Sequence, residues 1–256
     1  FITVGADMRD FTGSGADAAH RRKYLPATRR DPADWYSIVD QATLAAQRQA
    51  GYFLDLWSWR AHLSDPLGRA DDQLIAWFRL YDSGEPAFFS NWDNASSQPR
   101  WMFDPNRAGV SGTAKGPQFL TVDAAVPFDP AREWREGDVI PGQVLREPSG
   151  SRADIRVQGQ SRWADGYWDV TLVRALDTGY PLEDKILRDQ GVYSIALSVH
   201  RDARASRWHY VSLPLQVGFG RQADLAATRF TGNAPDWKNV EAREVMLFYP
   251  GQVSWQ

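Results

Sequence analysis

Nitrogen and sulfur side chains able to hold a metal ion or a cofactor are scarce in this chain. Among its 256 residues are 4 His, 3 Met and no Cys. The nitrogen and sulfur donors are therefore His20, His62, His200 and His209, with Met8, Met102 and Met246. The absence of cysteine excludes disulfides, thiolate metal sites and covalent attachment of a cofactor through Cys-x-x-Cys-His. One donor, His62, follows closely on Trp57-Ser58-Trp59-Arg60. Two Trp around one small polar residue, with Arg60 and His62 beside them, make an aromatic wall edged by polar groups. Such a wall suits a large planar ligand, and it suits an ordinary core as well.

The carboxylates offer less. Asp71 and Asp72 are adjacent, so on a strand they point to opposite faces and make a poor acid/base pair. Asp71, Asp72, Asp82 and Asp93 could give oxygens to a calcium ion, but no loop has the spacing of a calcium motif. They read as turn and cap residues. Nucleophile-elbow and phosphate-loop patterns are absent.

Composition sets the class. Hydrophobic residues make up 43% of the chain, enough for a sizeable core, and 12 Trp with 20 Gly and 15 Pro favour strands and irregular loops over a helical bundle. A net charge of −3 with no dominating basic run argues against nucleic acid as a partner. Arg21, Arg22, Lys23, Arg29 and Arg30 form the only basic cluster, which reads as a solvated loop. No apolar run reaches the ~18 residues of a transmembrane segment. The chain opens on Phe1, as a processed protein or a piece of a longer one would.

The elements that must position these residues can be read in order. Residues 34 to 50 predict a helix, with Asp34 as N-cap and Gly51 as its end. The apolar run from Tyr52 to Trp59 predicts a buried strand, and the chain then leaves the core through Asp65-Pro66, Gly68 and Asp71-Asp72. Leu74 to Tyr81 reads as a strand ending at the turn Asp82-Ser83-Gly84, and residues 90 to 116 as a long loop carrying the island Trp101-Met102-Phe103. Further strands are expected at 153 to 160, 166 to 176, 191 to 200 and 208 to 214. Strands without alternating helices predict a mainly β fold, an antiparallel β-sandwich of immunoglobulin-like or jelly-roll-like kind, with long loops and one or two short helices. Trp57, Trp59, Leu172, Ile195 and Leu197 are its expected core. The organisation expected is an N-terminal arm over 1–34, the sandwich over 35–233 and an extended tail over 234–256.

Four segments then carry a resemblance. Asp55-Leu-Trp-Ser-Trp-Arg-Ala61 with Pro66-Leu-Gly68 and Ala70-Asp-Asp-Gln73, Pro99-Arg-Trp-Met-Phe-Asp-Pro105, Arg207-Trp-His-Tyr-Val-Ser-Leu-Pro214 and Leu247-Phe-Tyr-Pro-Gly-Gln-Val-Ser-Trp255 occur in that order. Together they resemble the haem-binding domain related to the gamma subunit of ethylbenzene dehydrogenase. The resemblance implies a non-covalent haem b and electron transfer, with the partner rather than this chain doing substrate chemistry. It implies His209 as one iron ligand, in the motif before Val211-Ser212. For the opposite ligand the reading favours Met102, with His62 as its rival and Trp57 and Trp59 near the ring; thioether ligation raises a haem's potential. Relatives commonly carry a His where this chain has Ser58, and the run Gly5-Ala-Asp-Met-Arg-Asp10 stands where relatives often have Cys-x-x-Cys-His. Those departures keep open a haem-free docking module in a multihaem assembly. A carbohydrate-binding sandwich is a third reading, from fold shape and exposed aromatics. The implied partner is a multihaem cytochrome or a molybdenum oxidoreductase subunit, and the implied location periplasmic or extracytoplasmic.

Overall fold

The computed structural model describes residues 1–5, 24–31, 33–34, 36–104, 119–200 and 209–248, with His209 described in its backbone only. Strand accounts for 34% of the structure and helix for 12%, so the expected mainly β, antiparallel class holds. In chain order the first elements are β1 (Ile2–Gly5), α1 (Gln41–Gln49), β2 (Leu54–Ser58), β3 (Asp71–Ile75) and β4 (Arg79–Tyr81). Next come β5 (Phe88–Ser90), β6 (Trp92–Asp93), β7 (Gln98–Pro99), β8 (Trp101–Phe103), β9 (Leu120–Thr121), β10 (Ala125–Pro127) and β11 (Gln143–Leu145). β12 (Arg156–Val157), β13 (Arg162–Ala164), β14 (Tyr167–Asp169) and β15 (Leu172–Val173) follow. The last are β16 (Val192–His200), β17 (His209–Ser212), β18 (Leu215–Phe219), β19 (Leu225–Ala227) and β20 (Leu247–Phe248). The chain divides into two compact units, one of Phe1–Ser58, Asp72–Asp82 and Ala175–Gln256, the other of Trp59–Asp71 and Ser83–Arg174.

The first unit is built on a nine-stranded sheet of order β19-β18-β16-β1-β2-β3-β4, with β17 joining β16 and β20 joining β17. Ile2–Gly5, placed in an N-terminal arm by the sequence reading, pairs on one side with β16 and on the other with β2. The β-branched run Ile2-Thr3-Val4 suits a central strand, but four residues are too short to show a period. Alternation along β16 is as expected in spacing and opposite in phase. Ser194, Ala196 and Ser198 are buried, whereas Ile195 and Leu197 are only half-buried. Ala196 shares its row, across Thr3, with Leu56 of the same sheet, and forms a core cluster with Leu25, Leu54, Leu56 and Ile75. On the other side Phe53, Leu74 and Ala76 pack with Trp77 and Leu80.

The helix begins later than its periodicity suggests. Asp40, not Asp34, is the N-cap, its side chain accepting from the Thr43 amide at 2.9 Å. Asp34 instead accepts from the Tyr36 amide in a turn. Gly51 ends the helix at φ +79. The Tyr52 amide donates to Gln47 and the Gly51 amide to Arg48, the paired bonds of a Schellman motif. Arg29, assigned to a solvated loop, is in fact buried: it donates to the Trp77 carbonyl at 2.6 Å and stacks on Tyr24, and burial lowers its pKa.

In the second unit β5, β11 and β9 form one small sheet and β8 pairs with β10. Its apolar cluster is Phe103, Leu120 and Val144 with Phe89, Trp101 and Ala125 around them. The island Trp101-Met102-Phe103 is thus a strand, not part of a loop, and Met102 and Phe103 are buried. The turn at Ser83-Gly84 approaches Ser149-Gly150 so closely that a Cβ on Gly84 would lie 1.9 Å from the Ser149 carbonyl oxygen. Asp71 and Asp72, read from sequence as turn residues, open β3 and are fully buried. No helix among the described residues is long and apolar enough to cross a membrane.

Candidate functional site

Alternation along β2 decides what the aromatic wall can be. Strand residues two apart share a face, so Asp55 and Trp57 lie opposite to Leu54, Leu56 and Ser58. Trp57 is half-buried and stands opposite Ile2 on β1, which in turn stands opposite Leu197 on β16. The Leu197 amide donates to the Ser212 hydroxyl at 2.8 Å, which brings the end of β17 to the same row. His209 is three residues further along, its backbone opposite His200. The His209 side chain lies outside the described residues, as do Met8 and His20. His200 packs edge-on against the Phe1 ring, with centroids 5.1 Å apart, and Met246 is exposed.

Trp59 belongs to the second unit. Its partner there is not the other half of the sequence motif. The ring stacks edge-to-face on Trp168, with centroids 5.1 Å apart, and the indole N–H donates to Asp65 Oδ1 at 2.7 Å. His62 is exposed in the turn between. Met102 is 5% exposed and pairs with Val126 across the β8–β10 ladder. Its neighbours Trp101 and Phe103 point to the apolar cluster, so Met102 lies on the opposite face of β8. The expected core residue Leu172 is half-buried.

Two carboxylate arrangements escaped the sequence reading in whole or part. Asp71 accepts two bonds from Arg152, at 3.0 and 2.6 Å, with both side chains buried. Asp72 gathers instead with Asp55 and Asp184, one oxygen of each lying within 4.8 Å of the others. Asp55 accepts from the Lys185 amide at 2.9 Å, Asp72 from the Gln73 amide at 2.9 Å, and Asp184 from the Thr178 hydroxyl. The Lys185 ammonium donates to the Gly51 carbonyl and sits 4.1 Å over the Phe53 ring. A carboxylate in the middle of Leu54-Asp55-Leu56 was the visible signal, because an apolar strand carries a charge only where the fold supplies polar partners. Asp82 and Asp93, the other oxygens considered for calcium, do not join this group. Asp93 caps its own turn, held below the usual carboxylate range first by the Ser96 hydroxyl.

The carboxylates Asp55, Asp72 and Asp184 are hard oxygen donors, whereas Met102 and the indoles are of a different kind. A buried thioether at Met102 is a soft ligand that a macrocycle-bound iron accepts, and half-buried indoles offer apolar ring faces.

Comparison with known proteins gives the chain its place. Residues 8–212 match a protein family described as ethylbenzene dehydrogenase, and the chain belongs to that family. It is also similar to a cytochrome c-552 of Stutzerimonas stutzeri, 26% identical over 99 residues, which are 38% of this chain and 33% of that protein. The chain thus aligns with about a third of the length of that relative. No solved structure matches it.

Proposed function

We propose that this member of the ethylbenzene dehydrogenase family is a haem-related electron-transfer domain that holds a b-type haem non-covalently. The observation that carries the reading is the family match over residues 8–212, which takes in both Met102 and the strand His209–Ser212. The similarity to a protein named as a cytochrome supports it. With no Cys in the chain, a thioether link to the porphyrin is impossible, so any haem here is held by ligation and packing alone. His209 and Met102 are the donors proposed for its iron, and Trp57 and Trp59 the ring contacts. When bound, such a group supplies one-electron exchange, and His/Met ligation favours a raised potential. The chain's own residues bind it, exclude water from it and fix its orientation; a partner in a redox complex, such as a multihaem cytochrome or a molybdenum oxidoreductase subunit, performs the substrate chemistry. A periplasmic or other extracytoplasmic location belongs to this proposal.

Absorbance spectra of the purified chain, oxidised and reduced, with haem added, test it. A Soret band that shifts on reduction is expected in the wild type, with His209→Ala leaving a five-coordinate spectrum or no tight binding. Loss of binding in His62→Ala with none in His209→Ala would transfer the ligand role to His62. A wild type that takes up no haem would leave the docking-module reading, which one observation favours: buried Ser58 stands where an imidazole was expected.

A further inference from the structure

The second unit carries a short hairpin, β13–β14, whose cross-strand pair is Trp163 and Trp168. Its two-residue turn, Asp165-Gly166, has φ +54 and +86, the left-handed pair of a type I′ turn, which fixes the register of the two indoles. Trp168 touches Trp163 at 5.6 Å between centroids and Trp59 at 5.1 Å. Three indoles are therefore in series. The planes turn by 70° from Trp59 to Trp168 and by 52° from Trp168 to Trp163, so the row lines a corner and not a flat surface. Asp65 locks one end: one of its oxygens holds the Trp59 N–H, and the other accepts from the Ser161 hydroxyl, one residue before the hairpin. Yet Trp163 is 58% exposed and Trp168 47% exposed.

A row of tryptophans left this open is not explained by core packing, since burying the indoles would be the favoured outcome. We infer that Trp168 and Trp163 continue the wall begun by Trp59, and that this three-indole corner is a contact surface for the planar macrocycle. The inference rests on the haem reading above. A corner suits such a ligand: one indole lies on the ring face while the next meets the rim, the offset and edge-to-face geometries that aromatic pairs prefer. The row is also narrow, three residues per strand, which suits a ring better than the broad patch of a protein interface. The bond that fixes the Trp59 end matters here, because a preorganised group loses less freedom when the ring arrives.

The experiment is a haem titration of the purified chain, read by Soret absorbance, Soret-region circular dichroism and tryptophan fluorescence. Trp163→Ala and Trp168→Phe are compared with wild type and with Trp237→Ala, an exposed indole outside the row. The expected result is about tenfold weaker haem binding in Trp163→Ala, a smaller loss in Trp168→Phe because a ring remains, and no change in Trp237→Ala. The Soret dichroic band should also shrink in the first two, since it arises from coupling between haem and nearby aromatic rings. Far-ultraviolet dichroism identifies a variant that has simply unfolded, and Trp168→Phe keeps the test alive if Trp163→Ala does. No haem uptake by wild type overturns the haem reading itself. Uptake with unchanged affinity and Soret dichroism in both hairpin variants overturns only this inference. Unchanged binding with slower electron exchange to a redox protein would overturn it too, and make the hairpin a docking face.

Discussion

Met102→Leu separates what this side chain does for the fold from what it does for a cofactor. Met102 is 5% exposed, so nearly its whole side chain is removed from water, worth about 1.5–3 kcal/mol. Leucine has a similar volume, lies as well on β8 and keeps the ladder to Val126, so its cost should stay under about 1.5 kcal/mol. Met102→Ala, by contrast, leaves a cavity and should cost about 2–5 kcal/mol. Neither figure depends on iron. Ligation does: leucine offers no lone pair, so the thioether-to-iron absorption should vanish, the reduction potential should fall, and added imidazole should find an open position. Urea unfolding of the apo-protein gives the first set of values, and redox titration of the haem-loaded protein gives the second. A Met102→Leu variant with wild-type spectrum and potential would refute ligation by Met102. Wild-type stability in Met102→Ala would refute the burial argument.

Other outcomes follow from the packing and the helix cap. Arg152→Ala should lose about 3–5 kcal/mol in chemical denaturation, because it strands Asp71 in a buried site, and the double change Arg152→Met with Asp71→Leu should lose less than the single one. Gly84→Ala should cost more than about 2 kcal/mol, since the backbone is at φ +112 and the new Cβ meets the Ser149 carbonyl. Gly137→Ala, at φ +93 with nothing within 4 Å, should cost only the backbone strain, about 1–2 kcal/mol. The Thr43 hydroxyl, then its amide, hold the Asp40 carboxyl below its ordinary range. The helix cap is therefore complete above about pH 4 and weakens as pH falls through the lower folded value; the Thr43 amide resonance should track that loss in wild type and not in Asp40→Asn.

Much of the strand content was legible because its apolar residues alternate over enough length. β16 is of that kind, and the run expected at 166 to 176 contains β14 and β15, whereas β13 falls where a turn was expected. What alternation could not show was phase. A strand with Ser194, Ala196 and Ser198 on one side and Ile195 and Leu197 on the other presents its larger residues as the natural core, yet the buried face, the one Ala196 shares with Leu54 and Leu56 across β1, carries the small ones. β1 was hidden by its four-residue length, and β8 by flanking Pro99 and Pro105, which read as loop punctuation. Of the proposed site, the candidate donors and the first indole stand out by residue type alone. The rest of the aromatic row was not, because Trp163 and Trp168 are more than a hundred residues from Trp59 and only the fold joins them.

The segment from Trp59 to Asp71 shows why polar residues in a sequence can mislead. Asp65-Pro66, Gly68 and Asp71 have turn chemistry, and the sequence reading takes the chain out of the core there. In the structure nearly every one of these groups is tied to a later part of the same unit. Asp65 accepts from Ser161, Gly68 from the Val157 amide, and Asp71 from Arg152; the Arg69 guanidinium donates to Glu147, and the Ala70 amide to Ile155. Few of these contacts are apolar, so hydrophobic periodicity has nothing to report. Their effect is geometric: they hold the segment that carries Trp59 by directional bonds, and a buried directional bond defines an angle where apolar contact defines only proximity. If the row binds a ring as proposed, it needs its angle fixed more than it needs extra burial. The polar stitching is what the proposed site would require from its surroundings, and it leaves the half-exposed indoles available.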